Sequence, residues 1–69
     1  MSMTVRTLIK AMAFPESIDI VEIWSTTDLR LVETIDMSDF AERYSDRSFD
    51  QFHIYENNDA LVILEIHVK

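Results

Sequence analysis

The last third of the chain carries the clearest pattern of apolar and polar positions. Its longest apolar run, Ala60 to Leu64, is continued past Glu65 by Ile66 and Val68. In the stretch before it, Phe52 and Ile54 point one way, and Gln51, His53 and Tyr55 the other. Two β-rich runs joined by Glu56-Asn57-Asn58-Asp59 predict an antiparallel hairpin, with asparagine taking the positive φ of the turn.

The pattern upstream changes period. From Thr4 to Ala13, Val5, Leu8, Ile9 and Met12 follow helical spacing, Thr4 is placed to cap, and Arg6 and Lys10 form an exposed i, i+4 pair. A strand would divide Val5 and Ile9 from Leu8 and Met12, so the helix is the preferred reading. Phe14-Pro15 ends it, because a residue before proline is pushed out of helical geometry. Ile18 to Ser25 reads as a strand that is apolar on both faces, either an interior strand or one with a bulge. A turn at Thr26-Thr27-Asp28 leads to better alternation from Leu29 to Asp36, which makes a second hairpin. Met37 to Ser45 predicts a short helix with Ser38 as N-cap. Asp36 and Asp39 lie near its positive end, Arg43 near its negative end, and Phe40 and Tyr44 turn together toward the sheet.

The predicted architecture is therefore one α+β domain spanning residues 1–69, in the order α-β-β-α-β-β. A four-stranded antiparallel sheet is built from two hairpins, with the short helices packed on one face. The pairing between the hairpins is left open. On the final strand Val62, Leu64, Ile66 and Val68 fill one face, while Leu61 and Ile63 fall on the other, where Trp24 and Tyr55 can join them. Two short helices cover one side of such a sheet, so this second apolar strip predicts a homodimer. The alternative is that the first helix crosses over to cover it.

Charge changes the picture more than composition does. Between Ala11 and Glu42 lie Glu16, Asp19, Glu22, Asp28, Glu33, Asp36, Asp39 and Glu42 against Arg30 alone, which accounts for the whole net charge of −7. The remaining five acids and five bases cancel. Direct binding of nucleic acid is excluded, since phosphate contacts need concentrated Lys and Arg. An acidic surface suits a basic protein partner, or plain solubility. With 69 residues and no cysteine there is neither disulfide nor thiolate metal site. No apolar run approaches the roughly 20 residues of a membrane helix, and the start lacks a secretory signal, so the expectation is a soluble cytoplasmic chain. The absence of glycine predicts short, simple connections.

Candidate chemistry is sparse. His53 and His67 lack a ligand-like spacing and are expected to be ordinary strand histidines, with no metal and no cofactor. No glycine-flanked elbow presents a serine and no glycine loop cradles a phosphate, so a non-catalytic chain is expected. What remains is the acids. Glu33, Asp36, Asp39 and Glu42 recur at three-residue spacing, with Asp19, Glu22 and Asp28 in the adjoining hairpin. They read either as a solvated face with helix caps, or as a rigid array that stands in for phosphates and docks into a basic groove. Trp24 and Tyr44 are core residues or interface anchors.

The segment from Glu33 to Val68, about half the chain, resembles short reading frames of phages and prophages of Gram-positive bacteria. Asp39-Phe40-Ala41-Glu42-Arg43-Tyr44, Ser45-Asp46-Arg47 and Leu61-Val62-Ile63 carry the likeness. Some small acidic phage proteins inhibit host defence, among them anti-CRISPR proteins that block a CRISPR effector. The resemblance implies an inhibitor whose partner is a CRISPR effector or another nucleic-acid enzyme with a basic surface.

Overall fold

The computed structural model describes residues 3–69, and its helices and strands form an α+β fold. Helix α1 (Val5–Ala11) is followed by a 3₁₀ turn at Pro15–Ser17, strands β1 (Ile20–Ser25) and β2 (Arg30–Ile35), helix α2 (Met37–Tyr44), and strands β3 (Phe49–Glu56) and β4 (Val62–Val68). Thr4 caps α1, its side chain accepting from the Thr7 amide. Proline starts the 3₁₀ turn, where its missing N–H costs nothing. Helix α2 is capped by Asp36 rather than Ser38: the Asp36 carboxylate accepts from the Asp39 amide at 2.7 Å. Asp36 keeps extended geometry, φ −85° and ψ 170°, which aims its side chain back at the first turn.

Both expected hairpins form, β1 with β2 and β3 with β4. The expectation of a purely antiparallel sheet is corrected. The strand order is β2-β1-β4-β3, and the central pair β1 and β4 is parallel, with Ile20 opposite Ile63 and Ser25 opposite Val68. The reason lies in α2. Eight helical residues rise about 12 Å, and with Ser45–Ser48 they carry the chain back to the level where β2 began. β3 therefore runs parallel to β2, and β4 parallel to β1. The two strands that are apolar on both faces take the centre, as parallel pairing demands.

The core lies between the helices and one face of the central strands. Val5 and Leu8 of α1 and Phe40 and Tyr44 of α2 pack with Val21 and Ile23 of β1 and with Leu64, Ile66 and Val68 of β4. Phe40, Val5, Val21, Ile23, Leu64 and Ile66 are fully buried, each worth about 1.5–3 kcal/mol in apolar transfer. Phe40 and Tyr44 stack at 5.9 Å, as their four-residue spacing requires.

The turns depart from expectation in one respect. The positive φ angles fall on Leu29 (54°) and Ala60 (63°), not on asparagine. Asn57 acts instead through its side chain, whose Oδ1 accepts from the Asp59 and Leu61 amides.

Candidate functional site

The registers assign each paired strand residue a level along the sheet. At one end stand Ile20, Ile35, Glu56 and Val62; at the other stand Ser25, Arg30, Phe49 and Val68. Helix α2 begins at the first end and finishes at the second.

The first end is acidic. The Asp19 carboxylate accepts from the Val62 amide at 2.8 Å, while the Asp19 amide donates to the Val62 carbonyl at 2.9 Å. This pair of bonds closes the start of the parallel β1–β4 ladder. Asp19 and Asp36 line one shallow groove of about 250 Å³ with Ile20, Thr34 and Ile35. Asp39 is tied to Asp36 through its amide, and Glu42 lies three residues further along α2, on the next turn. All four are exposed, and none has an ion-pair partner among the described residues. Glu56, opposite Val62, and Asp59, in the β3–β4 turn, stand at the same level.

The second end is where the bases gather. Arg6 pairs with Asp46 at 2.6 Å, and Arg30 approaches Asp28 at 3.9 Å. The Arg47 guanidinium donates to the Lys69 carbonyl at 2.6 and 3.1 Å and sits 5.7 Å from the Tyr44 ring centre.

Of the seven acids expected to form an array, the structure brings Asp19, Asp36 and Asp39 to the first end, while Glu42, in the last turn of α2 beside Arg43, stands nearer the second. The other three are elsewhere. Asp28 is at the basic end. Glu33 faces α2, where it accepts from Arg43 at 2.9 and 3.2 Å and from the Tyr44 hydroxyl. The Tyr44 hydrogen bond, then that of Arg43, lowers the Glu33 carboxyl below its ordinary 4.5. Burial first, then Glu33, raises the Tyr44 phenol above 10. Glu22 lies on the sheet face that carries no helix, accepting from Trp24 Nε1 at 3.4 Å and from the Tyr55 hydroxyl at 3.2 Å. Burial, followed by the charge of Glu22, raises the Tyr55 phenol. Glu56 and Asp59 were missed, because along the chain they fall among residues whose charges cancel.

The bare sheet face holds the residues expected to self-associate. Ile63 lies between Ile20 and Tyr55 and is 3% exposed, already shielded within one chain. Trp24 and Tyr55 are half-buried, with Trp24 stacked on His67 at 5.8 Å and Tyr55 stacked on His53 at 5.8 Å. Leu61 is half-buried in the hairpin turn. The middle row of this face reads Thr34, Glu22, Glu65, His53, with His67 bonded to Glu65 at 2.9 Å. No cluster of three or more potential ligand side chains occurs among the described residues, and no helix there is long and apolar enough to cross a membrane.

Comparison with protein-family models, with curated proteins and with solved structures finds no match to this chain.

Proposed function

We propose that the chain is a non-catalytic protein-binding module whose acidic end occupies a basic, phosphate-binding surface of a nucleic-acid enzyme. The phage-like pattern of its second half suggests a host-defence nuclease such as a CRISPR effector as the case in point. The observation that carries the reading is the segregation of charge. Asp19, Asp36 and Asp39 stand without an ion-pair partner among the described residues at one end of the sheet, with Glu42 further along α2, while most of the bases stand at the other end. Two of these carboxylates, Asp19 and Asp36, are held by backbone amides, so these two are presented with less side-chain freedom to lose on docking. Association of this kind is fast and weakens steeply with salt.

The test is a pair of variants matched in charge. Reversing two acids to lysine takes the net charge from −7 to −3, whether at Asp39→Lys/Glu42→Lys or at Asp28→Lys/Asp50→Lys. Tagged wild type and the second variant should capture the same nucleic-acid-binding protein from a bacterial lysate and release it with salt; the first should not. Equal capture by all three would mean that net charge alone is at work.

A second reading is a homodimer formed through the bare sheet face, which no helix covers and which exposes parts of Trp24, Tyr55 and Leu61. It is the weaker reading, because face-to-face contact would press Glu22 and Glu65 of both copies into a dry interface. Sedimentation of Leu61→Glu against wild type decides it.

A further inference from the structure

The sheet has two outer strands, β2 and β3, and they are defended differently. β2 is broken by a bulge at Val32, between the Ile23–Glu33 and Trp24–Leu31 pairs, and it opens with Arg30. Bulges and edge charges of this kind prevent a foreign strand from pairing. β3 has a bulge only at Asp50. From Gln51 to Glu56 its register with β4 is unbroken, with no proline, lysine or arginine along it. On the helix side of that stretch, Phe52 and Ile54 are 45% and 44% exposed, although their partners Ile66 and Leu64 are fully buried. The helices cover the centre of the sheet and stop short of this edge. The same edge already accepts backbone once: Thr4 bridges Ser48 antiparallel, and the Phe49 amide donates to the Met3 carbonyl at 3.4 Å.

We propose that the outer edge of β3, Gln51–Glu56, takes up an extended segment of a partner protein as a fifth, antiparallel strand. The incoming segment carries apolar residues at alternate positions and Lys or Arg at its N-terminal end. Main-chain bonds to this edge, which no described residue pairs from Gln51 to Glu56, supply affinity, and the alternate side chains cover Phe52 and Ile54. An antiparallel segment begins beside Glu56, with Asp59 in the adjoining turn, so its N-terminal end meets two carboxylates. A second copy of this chain is the competing occupant. A two-fold through His53 sets Glu56 opposite Asp50 at both ends, and like charges directly opposed destabilise a strand pair. A two-fold through Ile54 sets Glu56 opposite Phe52 without that clash, but leaves Glu56 and Asp59 with no base to meet.

The proposal shares Glu56 with the acidic end but stands on the strand edge, so the two readings can fail separately. The probe is a fluorescein-labelled peptide, Lys-Lys-Val-Thr-Val-Thr-Val-Ser, titrated with the full chain by anisotropy. Saturable binding is expected. It should weaken by about tenfold or more when Glu-Glu replaces Lys-Lys, when proline replaces the central valine, or when the chain carries Ile54→Lys. Ile54 is nearly half exposed, so the variant should fold, and circular dichroism checks that it does. Val32→Lys on the opposite edge and Asp39→Lys/Glu42→Lys should each leave binding within about threefold of wild type. The proposal is overturned by the absence of saturable binding, by equal binding of the Glu-Glu peptide, by equal binding to Ile54→Lys, or by a dimer that Ile54→Lys dissociates.

Discussion

Ala60 holds φ at 63° in a chain that contains no glycine, and this sets up a substitution whose sign depends on backbone geometry alone. An L-residue in the left-handed region costs about 1–2 kcal/mol, because its Cβ crowds the following carbonyl. Ala60 is exposed, so removing its methyl group forfeits little packing. Glycine loses about 0.5–1 kcal/mol more backbone entropy on folding than alanine does. The balance for Ala60→Gly is a gain of about 0.5–1 kcal/mol. The same substitution at Ala41, inside α2 and half-buried, has no strain to relieve, so the entropic loss and a little lost packing should together cost about 0.5–1 kcal/mol or somewhat more. A kcal/mol moves the melting midpoint of a domain this size by about 4–8 °C, so the two variants should melt about 4–16 °C apart, on opposite sides of wild type. Thermal unfolding followed by circular dichroism reads this directly. If Ala60→Gly melts below wild type as Ala41→Gly does, the turn geometry described for the β3–β4 hairpin is wrong.

Two further predictions follow from the helix α2 contacts. The folded-state pKa of Glu33 is lowered, so its contribution to stability is fully present above about 4.5 and is lost as pH falls through the folded value. The stability gap between wild type and Glu33→Gln should therefore narrow on acidification, and a gap that stays constant from neutral pH into the acid range would contradict the Tyr44 and Arg43 assignment. Asp36→Ala removes the N-cap of α2 and should cost about 1 kcal/mol in urea unfolding, whereas Ser38→Ala should be close to silent. Reversal of that order would restore Ser38 as the cap.

The elements themselves were legible because each rests on local pattern: four-residue spacing for Phe40 and Tyr44, alternation in β3, proline after α1. The cap of α2 was misread by two residues, since Asp36 and Ser38 are both good caps and the choice depends on where the preceding strand releases the chain. The direction of the central pair was not legible at all. Alternation shows which residues share a face and is blind to whether a neighbour runs parallel or antiparallel; that was decided by the return path through α2. The candidate site suffered from the same blindness. Asp19 and Val62 are 43 positions apart, and only the parallel β1–β4 ladder sets them side by side. Glu56 and Asp59 thereby join the acidic end, although counting along the chain assigned them to a balanced remainder. Conversely, Glu33 looked like part of a regular acidic series, yet its strand faces α2, where Arg43 neutralises it.

The central claim is that the acidic end occupies the place of nucleic acid on a partner. Its most direct measurement is displacement of a fluorescent oligonucleotide from the captured enzyme by increasing amounts of the chain. Wild type and Asp28→Lys/Asp50→Lys should displace it at midpoints within about twofold of each other, and Asp39→Lys/Glu42→Lys should need about tenfold more, a difference of about 1.4 kcal/mol. An oligonucleotide that stays bound at saturating wild type, or that all three proteins displace equally, would contradict the account.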